Sequence, residues 1–363
     1  MHQKKVLVAM SGGLDSSVVC ILLQNRGYEV QGVTLKIYDP DDLPPGMKKN
    51  SIGGDKEIED AQEVAEKLGI KHHVLDVRED FSNTVISNFL GEYMNGRTPN
   101  PCTLCNKTIK WSAVLNKADE LSVHNIATGH YSFIDFSEGR YFVRKGEDPL
   151  KEQSYMLWQL GQNELSRTIF PLGGLTKSEA REIAIKHGLK TVAGKGESFD
   201  ICFVTDKDYR SYLRRKVDGL TDKYRGGNFV DRDGKFLGHH DGFMFFTIGQ
   251  RRGLPAMGYR AYVNDIRPET NEVVIGKEEE LFHSVVHIDS INAMKYNKIP
   301  ENTYLNVKLR YHHKGDNAKF HYTSPDSGIL EFEKPVISPT PGQSAVFYEN
   351  NDLLGGGLIT TVL

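Results

Sequence analysis

The chain has 363 residues, of which 39% are hydrophobic and 26% are charged, a composition typical of a globular protein with about two to three domains. Its formal net charge of −3 excludes a uniformly basic surface but allows a local basic groove for nucleic acid. No apolar run approaches the roughly 20 residues that a membrane-spanning helix needs, which together with the polar start of the chain predicts a cytoplasmic location and no membrane partner.

The first part of the chain alternates short apolar runs with amphipathic stretches. This alternation predicts a parallel β-sheet with helices on both faces, because parallel strands need crossover connections. Residues 39–55, rich in Pro, Gly and Asp, predict an exposed loop. Strands are predicted at 4–10, 29–38, 71–77 and 125–130, and helices at 15–27, 56–69, 79–94 and 106–121.

The pattern changes near residue 204. A basic helix is predicted at 208–217, short extended stretches with turn residues follow, and from about residue 284 the sequence has β-like alternation. We therefore predict three domains: an α/β domain at 1–204, a small β-rich central domain at 205–283 and a C-terminal β-barrel at 284–363.

The basic helix has a one-sided charge pattern. Its spacing places Lys207, Arg210 and Arg214 on one face and Leu213 on the inner face. Such a stripe is suited to nucleic-acid phosphates, and an ordinary solvated face is the alternative.

A glycine- and serine-rich stretch, AMSGGLDSS at residues 9–17, lies where the first strand meets the first helix. The glycines let the backbone approach a ligand closely, and the free N–H groups of the helix start favour an anion. No Lys-Ser/Thr pair follows the glycines, so this is not a Walker loop, and it does not match G-x-G-x-x-G either. A simple strand-to-helix turn is the alternative.

Residues 11–16, Ser-Gly-Gly-Leu-Asp-Ser, resemble the S-G-G-x-D-S loop of the ATP pyrophosphatase (PP-loop) superfamily. The resemblance implies an adenine nucleotide alpha hydrolase-like parallel-sheet domain that binds ATP with Mg²⁺, adenylates a carbonyl-type oxygen and releases pyrophosphate. Cys20, on the apolar side of the following helix, is predicted to be core. The nucleotide contacts implied by the resemblance are Ala9, Met10, Ser11, Gly12, Gly13, Leu14, Asp15, Ser16, Leu35 and Gly129.

Two of the four cysteines, Cys102 and Cys105, lie three residues apart in one predicted loop. So few cysteines do not form a secreted disulfide framework, and in a reducing compartment a close pair indicates metal binding or redox chemistry. The spacing alone leaves a metal site, a catalytic pair and ordinary buried thiols open.

The surrounding sequence, GRTPNPCTLCNKTIKW at residues 96–111, resembles the GRTPNP-x-x-x-CNK-x-IK signature of tRNA-specific 2-thiouridylases. The distant cysteine of that family matches Cys202, which lies in an ICF context. Further matches span nearly the whole chain in the family's order: ATGHY at 127–131, KEQSYML at 151–157, FFTIGQRRGL at 245–254 and PGQSAVFY at 341–348.

The resemblance implies a tRNA-uridine 2-sulfurtransferase. ATP would adenylate the C2 oxygen of the wobble uridine, and sulfur would then displace AMP to give 2-thiouridine. Cys202 would carry the sulfur as a persulfide, delivered by a cysteine desulfurase or a sulfur relay protein, and Cys105 would attack it. We expect Lys107 and Lys110, which follow Cys105 at a predicted helix start, to lower the pKa of its thiol.

Cys102 departs from the family pattern, in which many members have aspartate at this position. The resulting set of Cys102, Cys105 and Cys202 could hold a [4Fe–4S] cluster with one iron open to sulfide. Zinc fits less well, because structural zinc takes four protein ligands. A persulfide route without a cluster, a cluster-bound sulfur carrier and structural thiols therefore stay open.

The substrate implied by the resemblance is the anticodon stem-loop of tRNA, with the wobble uridine flipped into a pocket beside ATP. Glu152 stands where aspartate is more usual. Another PP-loop enzyme, such as a different tRNA thiolase, and a non-enzymatic RNA-binding or sulfur-carrier module are the alternatives. The implied contacts to tRNA or to the target base are Asn100, Pro101, Cys102, His130, Lys151, Glu152, Gln153, Arg310, Tyr311 and Gln343.

Overall fold

The computed structural model describes residues 4–38, 55–195, 201–206 and 208–363. Residues 39–54 of the predicted loop, and Lys207 of the predicted basic stripe, therefore lie outside the described residues. None of the described helices is long and apolar enough to cross a membrane.

A five-stranded parallel sheet forms the first domain, with strand order β3-β2-β1-β4-β7. Its central strands are apolar runs, as expected for strands that are covered on both faces. The bounds are Lys5–Ala9 (β1), Glu29–Lys36 (β2), Lys71–Asp76 (β3), Asn125–Ala127 (β4) and Thr168–Ile169 (β7).

Helices cover both faces of this sheet. Along β1, Val6 and Val8 belong to the hydrophobic cluster under four helices of one face, whereas Leu7 packs with a helix on the opposite face. The prediction of a parallel sheet covered on both sides is therefore confirmed, and Cys20 is fully buried in the core as predicted. The helices are Leu14–Asn25 (α1), Asp55–Leu68 (α2), Ser112–Glu120 (α6), Lys177–Lys186 (α8) and Lys190–Ala193 (α9).

The cysteine segment is helical, which corrects the predicted loop. Helix α5 (Pro101–Cys105) continues through a π-helical turn, Asn106–Trp111, into α6. The helix starts at Pro101 because proline at the first helical position has a suitable φ and needs no N–H bond. The predicted helix at 79–94 is likewise three consecutive segments: Arg78–Phe81 (α3), the π-helical turn Ser82–Ile86 and Ser87–Met94 (α4).

The C-terminal domain is a closed β-barrel, as predicted. Its six strands have the order β12-β15-β14-β13-β16-β17, and β12 pairs back with β17. The strands are Phe282–Ala293 (β12), Tyr304–Lys308 (β13), Asp316–Ser324 (β14), Ser327–Ile337 (β15), Ser344–Glu349 (β16) and Asp352–Val362 (β17).

Sequence patterning missed a hairpin in the first domain, β5 (Ser132–Ser137) with β6 (Arg140–Lys145). Arg144 of β6 pairs with Asp352 of β17, so the hairpin extends the sheet of the barrel. It ties the N-terminal domain to the C-terminal one. A helical turn, Ser154–Leu157, follows it, and the short helix Gln162–Ser166 (α7) comes next.

The central region is β-rich, as predicted, with a four-stranded sheet of order β10-β11-β8-β9. One hydrophobic cluster joins it to α4, since Phe89 and Phe203 pack with Tyr212 and Phe245. The core is thus continuous across residue 204, and the domain bounds at 204 and 283 stay predictions. The elements are Tyr209–Lys216 (α10), Leu220–Tyr224 (α11), Gly227–Val230 (β8), Phe236–His240 (β9), Tyr262–Arg267 (β10) and Glu272–Gly276 (β11).

Candidate active site

The glycine-rich loop lies between the end of β1 and the start of α1, as the sequence predicts. Gly13 is the N-cap residue of α1, and its carbonyl accepts a 2.7 Å bond from the Ser17 hydroxyl. The Ser11 N–H donates to the Ser16 Oγ across the loop at 3.2 Å. These bonds hold the turn closed and leave the first N–H groups of α1 available to an anion.

Two glycines are required here by close packing. Gly12 has φ +64°, and a Cβ on it would lie 2.6 Å from Asp60 Cβ and 2.8 Å from the Glu57 carbonyl oxygen. A Cβ on Gly129 would lie 2.9 Å from Asp15 Cβ. The loop is therefore pressed between α2 on one side and the end of β4 on the other.

Asp15 has two partners that sequence reasoning missed. The Lys177 ammonium donates to both carboxylate oxygens, at 2.7 and 2.8 Å, and the Tyr131 hydroxyl donates to Oδ1 at 2.8 Å. Tyr131 lies within the matched ATGHY stretch, which was a usable signal. Lys177 is the first residue of a distant helix, and no local pattern marks it.

A second lysine, Lys195, also reaches the loop. Its ammonium donates to the Gly12 carbonyl at 2.8 Å and to the Asp60 carboxylate. Burial opposes ionisation of Asp60, but Lys195 and Lys56 outweigh it and lower the pKa of that carboxyl. Two ammonium groups and the start of α1 thus surround one loop, a donor set that fits a polyphosphate.

Leu35 lies near the end of β2, at the same edge of the sheet as the loop. In the parallel register Ala9 pairs with Val33, so Leu35 extends two residues beyond it. Leu35 is partly buried, whereas Met10 is buried and donates its N–H to the Val33 carbonyl at 2.8 Å. This edge is where ligands of open parallel sheets bind.

The thiols form a series of differing exposure. Cys102 is exposed on the first turn of α5, and Cys105 and Cys202 are partly buried. Cys105 and Cys202 pack against the same hydrophobic cluster, and the charges of Cys102 and Cys105 both act on the pKa of Cys202. The structure therefore brings the three predicted cysteines together.

The prediction of a lowered thiol pKa at Cys105 is wrong for this structure. Desolvation raises the pKa of the Cys105 thiol to about 11, and it also raises the pKa of Cys202 and Cys102. The charge of Lys110 lowers all three pKa values but is the weaker effect, whereas Lys107 is exposed and is not among the causes. Cys105 ends the short α5 rather than preceding a helix start, so burial dominates.

A metal cluster does not fit the thiols as they are placed. In the described parts of the chain, no three His, Cys, Asp or Glu side chains are arranged to hold a metal ion. The thiol charges act on one another's pKa values, so the three sulfurs are near each other, but they are not arranged as the ligands of one metal ion. Cys102 is solvent-accessible, yet enough protein surrounds its sulfur for desolvation to raise its pKa.

The barrel holds the segment that precedes the cysteines. The Gln343 side-chain amide donates to the carbonyls of Thr98 and Pro99, both at 3.0 Å. The Thr98 N–H donates to the Pro341 carbonyl at 2.9 Å. The side chain of Asn100, the N-cap residue of α5, lowers the pKa of the buried Tyr155, so the two side chains are neighbours. Pro101, which follows it, is buried.

His130 lies between the nucleotide loop and the cysteine helix. It follows Gly129, its Nδ1 is 2.7 Å from Thr128 Oγ1, and its ring packs 5.6 Å from Trp111. Burial lowers the pKa of His130 well below its ordinary value, with Lys110 adding to this. The imidazole is therefore neutral at pH 7.

The 151–153 segment joins the same strand end to the barrel. The Gln153 N–H donates to the Tyr131 carbonyl, and the Tyr131 N–H donates to the Gln153 side-chain oxygen, both at 3.2 Å. The Tyr311 hydroxyl donates to the Glu152 carbonyl at 3.0 Å. Burial raises the pKa of Tyr311 to about 12. Lys151 is partly buried beside them.

The remaining predicted contacts are basic. Arg310 is exposed and close enough to Tyr155 to act on its pKa.

In α10, the Arg210 guanidinium donates to the Phe245 carbonyl at 2.9 Å, and Arg214 lies 4.2 Å over the Phe245 ring. Both line a cleft of about 540 Å³, which confirms that they share one face. The buried Leu213 faces inward as predicted.

Three family models match consecutive parts of the chain. They are described as a tRNA methyl transferase HUP domain at residues 4–206, a tRNA methyl transferase PRC-barrel domain at 219–277 and an aminomethyltransferase beta-barrel domain at 284–359.

Curated relatives match along nearly their whole length. A protein of Amoebophilus asiaticus named tRNA-specific 2-thiouridylase MnmA is 46% identical, over 99% of this chain and 96% of the relative. Proteins of the same name from Salinibacter ruber and Cytophaga hutchinsonii are 45% and 43% identical, over 99% and 98% of this chain and 94% and 97% of the relatives.

Proposed function

The chain belongs to the family of tRNA-specific 2-thiouridylases, and from this premise we propose that it is an ATP-dependent tRNA-uridine 2-sulfurtransferase acting on the wobble uridine. One observation carries the proposal. Consecutive residues link the two chemical centres. Gly129 abuts Asp15 in the nucleotide loop, and the His130 ring packs on Trp111, which ends the π-helical turn after Cys105. The charge of Lys110, in that turn, acts on the pKa of both His130 and Cys105.

ATP is bound by the start of α1 with its loop, and Lys177 and Lys195 supply positive charge to the phosphates. Asp15 would hold the Mg²⁺ that accompanies ATP, and the metal would neutralise charge on the phosphates. In this arrangement Lys177 occupies both oxygens of Asp15, so we expect it to move toward the phosphates when the metal binds.

The first step attaches AMP to the uracil. The C2 oxygen attacks the α-phosphorus of ATP, the bond to the β-phosphate oxygen breaks, and pyrophosphate leaves. A carbonyl oxygen is thereby converted into a phosphate-type leaving group. The neutral His130 can accept or donate one hydrogen bond beside the base, because Thr128 occupies its other nitrogen.

The second step delivers sulfur. The Cys105 thiolate attacks the inner sulfur of a Cys202 persulfide, a disulfide forms between these cysteines, and hydrosulfide is released. Hydrosulfide adds to C2 and AMP leaves with the former C2 oxygen. A partly buried apolar setting excludes water, which would otherwise return the adenylated base to uridine.

The anticodon stem-loop is the proposed substrate region, and a cysteine desulfurase or sulfur relay protein the proposed donor. The basic cleft beside α10 and the exposed Arg310 are suited to the tRNA backbone. All four cysteines are unpaired, in keeping with the cytoplasmic location that is part of this proposal.

The test uses purified protein with an unmodified tRNA transcript. We expect ATP–pyrophosphate exchange that requires tRNA and, with a persulfide donor, a nucleoside whose mass reports sulfur in place of oxygen. Asp15→Ala should abolish both activities. Asp119→Ala is the matched control, because it removes an exposed carboxylate that also pairs with a basic side chain, Arg167, on the other face of the sheet.

Three results would contradict the proposal. Exchange that requires an amino acid or a free nucleotide would indicate another PP-loop enzyme. Addition of a methyl group to the tRNA would instead support a tRNA methyl transferase, the activity named for two of the matching domains. Unchanged thiolation by Asp15→Ala would favour a binding or carrier module.

A [4Fe–4S] sulfur carrier is the competing form of the second step. Cys102 in place of the aspartate that the family resemblance implies favours it, whereas the placement of the side chains in the described residues does not. We expect protein purified without air to thiolate tRNA with far less than one iron per chain. About four irons and four sulfides, lost in Cys102→Ser, would replace the persulfide route.

A further inference from the structure

Cys102 and Cys105 occupy one turn of α5. Residues three apart in a helix lie on the same face with Cβ atoms about 5–6 Å apart. A disulfide requires Cα atoms about 4.4–6.8 Å apart and Cβ atoms about 3.5–4.5 Å apart. Closure therefore needs a shift of about 1–2 Å, which the first turn of a helix permits, since its N–H groups have no earlier partners.

The three thiols also differ in access to solvent. Cys105 and Cys202 pack against one hydrophobic cluster, whereas Cys102 is exposed on the same helical turn as Cys105. The charges of both Cys102 and Cys105 act on the pKa of Cys202, so the three thiols are mutual neighbours and Cys102 is the exposed one. This difference matters, because a protein reductant reaches only the exposed member.

The proposed sulfur transfer creates a need for such a connection. It leaves Cys105 and Cys202 joined in a disulfide, and Cys202 cannot accept new sulfur until that bond is reduced. Both sulfurs lie in the partly buried apolar region. A direct attack by an external thiol would have to enter that region.

We propose that Cys102 is the resolving thiol of this enzyme, which moves the disulfide from the interior to the surface after each sulfur transfer. The inference rests on the proposed function. The Cys102 sulfur attacks Cys105, a bond forms between Cys102 and Cys105, and the bond from Cys105 to Cys202 breaks. An external dithiol then reduces the Cys102–Cys105 disulfide and becomes oxidised itself.

Protons balance in this exchange. One thiol hydrogen leaves Cys102 and one arrives on Cys202, so no net charge is created. Burial raises the pKa of both thiols, which favours neutral reactants and products, and the Lys110 charge stabilises the thiolate in transit. The aspartate that the family resemblance implies for many members at this position could not perform this step.

The experiment maps disulfides after one turnover. Persulfide-loaded protein is freed of donor and reductant, mixed with tRNA and ATP, quenched in acid and alkylated. In wild type we expect a Cys102–Cys105 disulfide and an alkylated Cys202. In Cys102→Ser we expect the disulfide to stay between Cys105 and Cys202, and Cys102→Asp serves as the variant closest to the relatives.

The second readout is turnover with a thioredoxin-type dithiol protein as reductant. For each variant, the amount of 2-thiouridine formed over many turnovers is divided by the amount formed in a single turnover. A mutation that only weakens contact with the target base lowers both amounts and leaves this ratio unchanged. We expect this ratio to fall about tenfold or more in both variants.

The outcomes separate the two proposals. If wild type makes 2-thiouridine but retains the Cys105–Cys202 disulfide, or has no disulfide, the resolving role is wrong and the thiolation stands. An unchanged ratio in Cys102→Ser would also overturn it. If wild type makes no 2-thiouridine, the proposed function itself fails.

Discussion

The nucleotide loop and the thiol region lie side by side but are built in opposite ways. The loop is contiguous in sequence and polar, with Lys177 and Lys195 bound to its carboxylate and carbonyl groups. The thiol region joins Cys105, Cys202 and the barrel, and its sulfurs pack on apolar side chains.

The difference matches the species that each region would handle. A polyphosphate needs preformed donors and positive charge, whereas a reactive sulfur and an adenylated base need exclusion of water. The two regions should therefore be separable by mutation, and the following predictions test this separation from the largest expected effect to the smallest.

Cys105→Ser should disable sulfur transfer alone. We expect 2-thiouridine formation to fall by about a thousandfold or more, because a hydroxyl cannot attack the persulfide. The tRNA-dependent ATP–pyrophosphate exchange should stay within about twofold of wild type. Loss of exchange in this variant would mean that the two regions are not separable.

Gly12→Ala should disable the nucleotide loop through packing. Its matched control is Gly27→Ala, since Gly27 has φ +79° but nothing within 4 Å of the added Cβ. In urea titrations we expect about 1–2 kcal/mol lower unfolding free energy for Gly27→Ala, from backbone strain alone.

Gly12→Ala should lose about 1–3 kcal/mol more than that control, because its Cβ overlaps Asp60 and the Glu57 carbonyl. It should also lose ATP binding, whereas the control should retain it. Equal unfolding free energies for the two variants would show that α2 does not constrain the loop.

Gln343→Met should loosen the thiol region from the barrel side. The change removes the two hydrogen bonds to the Thr98 and Pro99 carbonyls, each worth about 1 kcal/mol. We expect faster hydrogen exchange in residues 98–105 without tRNA and about tenfold slower thiolation.

The exposed barrel variant Glu331→Gln is the control for this prediction, and its exchange should match wild type. A residue that only contacts tRNA would leave exchange in the tRNA-free protein unchanged. That result would return Gln343 to the role implied by the family resemblance.

Lys110→Met should have the smallest effect. Lys110 lowers the pKa of Cys105, which burial raises to about 11, so its removal raises this pKa further. Because the thiolate is the species that reacts, iodoacetamide alkylation of Cys105 at a fixed pH below 11 should slow. Lys107→Met, at an exposed position, is the control. Equal rates in the two variants would contradict the electrostatic role of Lys110.

Much of the fold was predictable, since apolar runs and amphipathic periods mark parallel strands and covering helices. The hairpin at 132–145 is a local element whose turn at Glu138 and Gly139 was overlooked, whereas its pairing with β17, about two hundred residues later, has no local signal. The cysteine segment was predicted as a loop because its helical start depends on Pro101 and on contacts with the barrel.

The candidate site divides in the same way. The loop residues 11–16 and the cysteines were found from local patterns and from resemblance. Lys177 and Lys195 were missed because their positions near Asp15 and Gly12 arise only when distant helices pack. The pKa of Cys105 was misjudged because neighbouring lysines are visible in sequence and burial is not.

The sequence by itself determined the alternation of strands and helices, the anion-binding turn and the presence of three thiols, because each depends on residues close in the chain. Only the tertiary structure decided which lysines face the loop and how deeply each sulfur lies. It also decided that the barrel holds the cysteine helix. Those properties depend on long-range packing and desolvation, whose magnitudes no local pattern records.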